Sequence, residues 1–335
     1  MKAKYTHIAA YVANTLWAIH PAKLAELVSV LAFRAAGHEF TPEEIRARIG
    51  DGAESTGPSK RGGVAVIPIR GVIANRMSGM EESSGGVSAE IIGAMIAQVA
   101  ADPGIGTIVY DVDSPGGTVP GIQELAAQMF ALRGQKKQIA QVNDLAASAA
   151  YWLASQADEI VSIPSGTAGS IGVFTAHSDL SKALENEGVD VTLISAGKYK
   201  LEGNPFEPLS DEAKVFLQAR VDDAYAQFVK DVARGRGVTP AAVRNGFGEG
   251  RALPAKDAKA AGLIDRIDTM DNTLVRLVGR KQSGSMRAEG DEPQLSAADE
   301  AVIHDEVAEH LEAQAVPVHV ESGEIDIRRH RLNTR

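Results

Sequence analysis

Short apolar runs and amphipathic stretches alternate along the middle of the chain, from Val64 to about residue 278. The runs are continuous, as in strands buried on both faces, and the stretches between them carry apolar residues at helical spacing. The predicted strands are VAVIPIRGVI, GIGTIVYDVDSPGG, QIAQV, EIVSIP and DVTLISAG. The predicted helices are SAEIIGAMIAQVAADP, VPGIQELAAQMFALRG, ASAAYWLASQAD and SDLSKALENEG. Because strands that alternate with helices pair in parallel through helical crossovers, the pattern predicts an α/β layered domain with a parallel sheet.

One long amphipathic helix is predicted after this alternation, over residues 210–237. Its apolar stripe consists of Phe216, Leu217, Val221, Tyr225, Phe228 and Val232. The following segment, TPAAVRNGFGEGRALPAKDAKAAGLIDRID, predicts a helix, a glycine turn and a short strand that close the domain.

The flanks of this domain differ from it in pattern. Residues 1–50 predict a helical N-terminal segment, because apolar residues recur at helical spacing from Ala9 to Leu31. Residues 51–63 are rich in Gly, Ser and Pro and predict a linker. The α/β domain then covers 64–278, and residues 279–335 predict a flexible acidic tail or a scaffold-like segment that folds on a partner.

Composition excludes several classes of function. The chain has no cysteine, which excludes disulfide scaffolds and thiolate catalysis. Its net charge is −10, and the stretch from Glu289 to Asp326 holds twelve acidic residues and no Lys or Arg. A nucleic-acid binder would need clustered cations instead. No apolar run approaches the roughly 20 residues of a membrane span, and the N-terminus lacks a clean signal cleavage site.

Histidine is scarce where a catalytic domain would need it. Of eight histidines, only His177 falls inside the predicted α/β domain, and no GxSxG elbow is present. No HExxH, no close cluster of metal ligands and no glycine-rich phosphate loop occurs either. The sequence therefore argues against a Ser-His-Asp hydrolase, a metal hydrolase and a nucleotide-binding enzyme, and no metal or cofactor is expected.

Ser148 is the only aliphatic hydroxyl in the stretch NDLAASAAYW, where a predicted strand gives way to a helix. In the first turn of that helix, unpaired N–H groups would stabilise a developing oxyanion. The alanines on either side would leave room for a substrate backbone. Serine is also a common helix cap, and this interpretation stays open at this point.

Two further features of the sequence favour a catalytic role for Ser148. The turn DSPGG, residues 113–117, ends a predicted parallel strand at the edge where α/β sheets bind ligands. Its glycines would let backbone amides face a reacting carbonyl, although an ordinary Pro-Gly turn has the same letters. Lys200 follows the predicted strand DVTLISAG, and a buried lysine with a lowered pKa could serve as a base. Ser170, in TAGSIGV, could form a hydrogen bond that orients the amine of Lys200.

These motifs, in order, resemble the S49 peptidases, the signal peptide peptidase A family. The resemblance rests on SPGG, AASAAYW, TAGSIGVF, YK followed by NPF and a long helix, and GRALPAKDAKAAGLID, over roughly residues 62–270. It implies a ClpP/crotonase-like fold of repeated β-β-α units. It implies that Ser148 is the nucleophile, Lys200 the general base and Ser170 the hydroxyl that holds the lysine. Gly117 and the backbone of Ala149, with Gly116 beside them, match the oxyanion donors.

Within that family, the chain looks like the bacteriophage branch of capsid-maturation proteases. The features that carry this are the preface with ANTLWAIHPAKL, a single protease domain, the acidic tail and the lack of an N-terminal anchor. The resemblance implies protein substrates such as phage scaffold, portal or capsid proteins, and a homo-oligomeric ring. In such rings serine and lysine can come from neighbouring subunits, and whether they do so here stays open on the sequence. It implies action in the host cytoplasm or inside an assembling procapsid.

Three alternatives stay open on the sequence. A peptidase of the same family could degrade signal peptides instead. A crotonase-like acyl-CoA hydratase or isomerase would share the fold, but it would need carboxylate bases and a CoA phosphate site. A catalytically dead protease domain could serve as an assembly protein.

Overall fold

A computed structural model describes residues 15–25, 28, 58–76 and 86–283. The chain divides after Gln282 into two compact units, and of the second unit only Ser283 is described. The predicted acidic tail therefore lies outside the described residues. So do most of the predicted N-terminal segment and the linker up to residue 57.

Strands and helices alternate through the first unit, as the apolar pattern predicts. The strands are β1 (Trp17–Ile19), β2 (Ser59–Arg61), β3 (Val64–Arg70), β4 (Ile73–Ala74), β5 (Val87–Ser88), β6 (Thr107–Ser114), β7 (Gly116–Thr118), β8 (Lys137–Ala147), β9 (Glu159–Ser162), β10 (Thr167–Gly169), β11 (Ala252–Pro254) and β12 (Arg266–Ile267). The helices are α1 (Ala89–Ala101), α2 (Ile122–Ala131), α3 (Ala149–Ala154), α4 (Ser181–Asn186), α5 (Asp211–Arg236), α6 (Pro240–Gly246), α7 (Ala255–Ala260) and α8 (Met270–Ser283).

The main sheet has eight strands, and its centre is parallel. The order is β11-β10-β8-β6-β3-β2, with β9 paired to β8 and β12 to β9. The pairs β3–β6, β6–β8, β8–β9 and β8–β10 are parallel, whereas β2 and β11 run antiparallel at their edges. This confirms the predicted α/β class with a parallel-rich sheet. A second sheet of four short strands has the order β1-β7-β4-β5.

The two faces of the main sheet bury separate sets of side chains, because successive residues of a strand point to opposite faces. The larger core includes Ile67, Tyr110 and Val142 and packs against α1, α2, α3 and the second half of α5. A smaller cluster of Val64, Val109, Ile139 and Val161 lies with Leu277 of α8. Among the described residues, no helix has the length and apolar character that a bilayer span requires.

Helix boundaries follow the predicted capping chemistry. The Ser88 hydroxyl accepts hydrogen bonds from the Glu90 and Ile91 N–H groups at the start of α1, at 3.1 and 3.3 Å. Ser210 caps α5 in the same way, and Gly237 ends it in the left-handed conformation. The long helix is therefore confirmed, but its predicted stripe is buried only in part: Phe228 and Val232 are in the core, whereas Phe216 is exposed.

Two predicted elements are wrong. DVTLISAG forms no strand, and its residues are almost all exposed. The edge of β10 pairs instead with β11, which returns from far along the chain, and DVTLISAG pairs with no described strand. Near the N-terminus, Trp17–Ile19 is a strand instead of part of a helix, because it pairs with β7. Pairing with a distant strand is invisible to a local apolar period.

Candidate active site

Ser148 lies at a sharp corner between the central strand β8 and helix α3. Its φ is 56° and its ψ −119°, a conformation that residues other than glycine seldom adopt. The side chain makes no capping hydrogen bond to α3, so the helix-cap interpretation is wrong. A strained serine at a strand-to-helix corner is typical of a nucleophile whose hydroxyl must face away from the helix.

The hydroxyl of Ser148 is enclosed. The residue is 1% exposed, and its Oγ lies 3.4 Å from the Gly172 carbonyl oxygen. The neighbouring alanines are fully buried in the larger core. The sequence suggested that these alanines line an open approach to the serine. Because they are buried, they do not. Instead, their small size lets the corner pack tightly between β8, β10 and α3.

The glycine turn lies directly beside this corner, as predicted. Ser114 at the end of β6 pairs with Ala146 near the end of β8, so both features share the carboxyl edge of adjacent parallel strands. Gly116 has a φ of +97°, and a Cβ placed on it would lie 3.0 Å from the Ala149 nitrogen. A Cβ on Gly117 would lie 1.7 Å from the Ile73 carbonyl oxygen. Both positions therefore require glycine.

Ser170 lies at the same edge, on the other side of Ser148. Strand β10 is parallel to β8 with Gly169 opposite Ala147, and the Ser148 N–H donates to the Gly169 carbonyl at 2.8 Å. Ser170 is buried, with a φ of 54°, and its N–H donates to the Arg251 carbonyl at 2.8 Å. The structure thus brings together the glycine turn, Ser148 and Ser170.

Lys200 does not join this group. It lies in an exposed run of turns and makes no side-chain hydrogen bond or ion pair with any described residue. Its neighbour Lys198 bonds to Glu212 at 3.0 Å. The turns that contain Lys200 approach the glycine turn from one side. Tyr199 of these turns lines a cavity of about 180 Å³ together with Leu16, whose carbonyl accepts from the Val119 N–H just after β7. The role of Lys200 as a base stays a prediction.

His177 is also separate from the serine. Its Nε2 lies 2.9 Å from the Asn204 carbonyl oxygen, and no hydrogen bond connects it to Ser148. Within the described ranges, no three His or carboxylate side chains are grouped as metal ligands would be.

A pair of carboxylates beside the glycine turn escaped prediction. Asp113 lines a cleft of about 430 Å³ that also includes His20, Pro115 and Leu145. Loss of water around its carboxylate, and then the nearby Asp144 carboxylate, raise the pKa of Asp113 to about 6. The two residues come from different strands, so no sequence motif joins them. The only sequence signal for this pair was the position of DVD, residues 111–113, at the end of a predicted strand.

Buried polar contacts hold α3 against α5. The Trp152 indole N–H donates to Asp231 Oδ2 at 3.0 Å, and its ring stacks on Phe228 with centroids 4.4 Å apart. Arg234 forms an ion pair with Asp231 Oδ1 at 3.3 Å. A Cβ on Gly235 would lie 2.0 Å from the Ser155 carbonyl oxygen, so the two helices touch through backbone. These contacts fix the helix whose first amide is the proposed oxyanion donor.

Comparison with known proteins matches this architecture to a family. The model of peptidase family S49 matches residues 131–282, which include Ser148, Ser170 and Lys200. The capsid assembly protease C of Escherichia phage lambda is 31% identical over 294 residues, which cover 84% of this chain and 66% of that protein. The head-tail preconnector protein GP5 of Enterobacteria phage P21 is 34% identical over 243 residues, covering 71% of this chain and 47% of that protein.

Cellular proteases match as well. Protease 4 of Salmonella typhi is 31% identical over 221 residues, covering 65% of this chain and 35% of that protein. The chain thus spans less than two thirds of the length of each of these relatives. The residues brought together at the carboxyl edge of the sheet lie in the order that the S49 resemblance requires. This chain belongs to peptidase family S49.

Proposed function

We propose that this chain is a serine endopeptidase that works with Ser148 and Lys200 and processes proteins of an assembling phage head. The observation that carries the proposal is the strained corner at Ser148, which lies between the glycine turn and Ser170 at one sheet edge. A fold of repeated β-β-α units, as in ClpP and the crotonases, is part of the same proposal.

The chemistry follows from these positions. Neutral Lys200 removes the proton from the Ser148 hydroxyl, and Oγ attacks the carbonyl carbon of a peptide. The N–H groups of Gly117 and Ala149 stabilise the oxyanion, and Ser170 orients the lysine amine. The protonated lysine then donates to the leaving amine, and a water activated by the same lysine releases the acyl group.

Lys200 must reach a serine that it does not contact within the described chain. We propose that association of two copies brings Lys200 of one beside Ser148 of the next. Support comes from the exposed segment 176–216, which contains Lys200 and displays large apolar side chains to solvent. These are Leu180, Val189, Val191, Ile194, Tyr199, Val215 and Phe216. Such a surface is typical of an interface, and homo-oligomers bury it between subunits.

The phage role is supported by the coverage of the relatives. The two phage proteins match 84% and 71% of this chain, whereas Protease 4 of Salmonella typhi matches 65%. We therefore propose scaffold, portal or capsid proteins as substrates, and the host cytoplasm or an assembling procapsid as the place of action.

The central experiment compares Ser148→Ala with wild type. Expression with the neighbouring head genes, followed by mass spectrometry of the products, should show cleaved head proteins with wild type and none with Ser148→Ala. Ser165→Ala is the matched control, because this serine is exposed and outside the site. Cleavage at the original positions by the Ser148→Ala chain would refute the assignment.

Mixing tests the origin of the lysine. Ser148→Ala and Lys200→Ala chains are each expected to be inactive alone. If the dyad forms across copies, an equal mixture that exchanges subunits should recover about a quarter of wild-type activity, the fraction of all sites that hold both an intact serine and an intact lysine. No recovery in exchanged oligomers would mean that serine and lysine come from one chain.

A further inference from the structure

The N-terminal segment, residues 16–20, lies between the two pieces of chain that flank Ser148. On one side its strand β1 runs antiparallel to β7, which follows the glycine turn, with Ala18 opposite Gly117. On the other side Trp17 and Phe174 exchange backbone hydrogen bonds of 2.8 and 3.0 Å, two residues beyond the Gly172 carbonyl that Ser148 Oγ faces. The segment therefore fills the groove in which an extended peptide would reach the serine.

The backbone register directs one carbonyl of this segment at the proposed oxyanion donors. The His20 N–H donates to Pro115, and the Val119 N–H donates to Leu16, at 2.7 and 3.0 Å. Because hydrogen-bonded pairs alternate in an antiparallel ladder, Ala18 and Gly117 form the pair between these two. The N–H of Gly117 thus faces the carbonyl of Ala18.

Ala149, the second proposed donor, lies at the same place. A Cβ atom placed on Gly116 would lie 2.3 Å from the Ala18 carbonyl oxygen and 3.0 Å from the Ala149 nitrogen. The Ala18 carbonyl oxygen therefore lies close to both proposed oxyanion donors. This is the arrangement of a peptide that augments a sheet edge in an active site.

Burial shows that a second peptide has no room. Ala18 is 0% exposed, and its side chain belongs to the larger core together with Ala146 and Ala149. Its neighbours Trp17 and Ile19 belong instead to a small cluster with Leu24, which is separate from the larger core. Departure of the segment would therefore expose Trp17 and Ile19, whereas from the larger core it would remove only the methyl group of Ala18.

We propose that residues 16–20 occupy the place of the substrate in the resting chain, with Ala18 at the position whose carbonyl Ser148 attacks. The segment is a built-in competitor that must leave the groove before another protein binds. This inference rests on the proposed peptidase function. The apparent affinity for substrate equals the affinity of the open groove multiplied by the fraction of chains in which the groove is open.

Attack on the segment itself has defined products. Ser148 Oγ would bond to the Ala18 carbonyl carbon, the bond from that carbon to the Ile19 nitrogen would break, and the serine proton would end on the Ile19 amine. Water would then release Ala18 as a carboxylate. A product that begins at Ile19, formed by wild type and not by Ser148→Ala, would support the proposed placement.

The first test expels the segment by size. In the full chain, Ala18→Arg places a long side chain where none fits, whereas the control Ala25→Arg changes an exposed alanine of the same region. The readouts are labelling of Ser148 by a fluorophosphonate and hydrolysis of the amide substrate acetyl-Leu-Trp-Ala-aminocoumarin. We expect Ala18→Arg to react about tenfold or more faster than wild type and Ala25→Arg. Equal rates in all three chains would overturn the inference.

A second test works even if Ala18→Arg fails to fold. Trp17 and Thr118 form a pair without mutual hydrogen bonds, where Cα atoms are close enough for a disulfide. The natural chain has no cysteine, so the double variant Trp17→Cys, Thr118→Cys can form only this bond. Oxidation should lock the segment and slow labelling of Ser148 about tenfold or more relative to the same protein after reduction.

The outcomes separate the two proposals. Equal labelling of the oxidised and reduced double variant would overturn the inference and leave the peptidase function intact. Absence of Ser148 labelling in every chain, including the reduced double variant and Ala18→Arg, would refute the peptidase function itself.

Discussion

The two halves of the proposed dyad lie in regions of opposite character. Ser148 is in the most densely packed part of the molecule, where β8, β10, α3 and the second half of α5 meet. Lys200 is in the exposed segment 176–216, which contains no strand and displays its apolar side chains. One chain therefore places the proposed nucleophile beside the proposed oxyanion donors, whereas the proposed base would depend on contacts that this segment makes elsewhere.

The largest expected effect separates activity from stability. Lys200→Ala should lower kcat by about 10³-fold or more, because it removes the proposed base. The melting temperature should stay at the wild-type value, because the side chain is exposed and makes no hydrogen bond or ion pair with a described residue. Peptide hydrolysis and thermal unfolding measure the two quantities. Lys198→Ala is the control, since it is an exposed lysine two positions away, paired with Glu212. Equal activity of Lys200→Ala and Lys198→Ala would exclude Lys200 as the base.

The packed region should respond in the opposite way. Asp231→Ala leaves the Trp152 N–H without its acceptor and Arg234 without its partner, and should lower the free energy of unfolding by about 2–3 kcal/mol. Urea unfolding checks this value. Asp223→Ala, on the exposed side of the same helix, should change it by less than about 0.5 kcal/mol. A similar loss in both variants would show that the contact with α3 contributes little.

The exposed segment should matter for association. Ile194 is 93% exposed, so Ile194→Asp should leave the stability of a single copy unchanged. If the segment packs on a second copy, the substitution should weaken association about tenfold or more, and light scattering would show a lower mass. Val238→Asp changes another exposed apolar residue, outside the segment, and should keep the wild-type mass. Unchanged mass in both variants would contradict an interface at this segment.

The smallest expected effect concerns pH. The pKa of Asp113 is raised to about 6 in the folded chain, from 3.8, so the folded state binds more protons than the unfolded state between these values. Stability from this group is therefore present at low pH and falls as the pH rises through 6. Asp113→Asn should raise the melting temperature by about 1–2 °C at neutral pH and by less near pH 4.5.

Calorimetry at both pH values checks the difference. Asp158→Asn is not a suitable control, because its carboxylate accepts from the Gln138 N–H. Asp222→Asn, at an exposed position on α5, should show no such pH dependence. Equal stabilisation by Asp113→Asn at both pH values would contradict the raised pKa.

Much of the scaffold could be predicted because its signals are local. Ser88 and Ser210 cap helices as their sequence positions indicate, and the DSPGG turn falls at the end of β6. The Ser148 corner was located, but its conformation was not: a serine before a run of alanines favours a helix cap, and only the packing of β8 against β10 forces the left-handed φ.

The failures share a physical cause. DVTLISAG has the composition of a strand but pairs with no described strand, whereas β11 returns from far along the chain to pair with β10. Trp17–Ile19 has helical spacing but pairs with β7, and Asp113 meets Asp144 across two strands. In each case the partner is distant in sequence, and a local period carries no information about it.

By itself, the sequence determined the α/β class, the long helix, the glycine turn and the position of the Ser148 corner, because periodicity, capping and turn chemistry act over a few residues. Only the tertiary structure decided that Ser148 is strained and enclosed, that Lys200 is exposed, and that Ala18 faces Gly117. Those properties depend on which distant strands share an edge, and that choice is made by the packing of the whole domain.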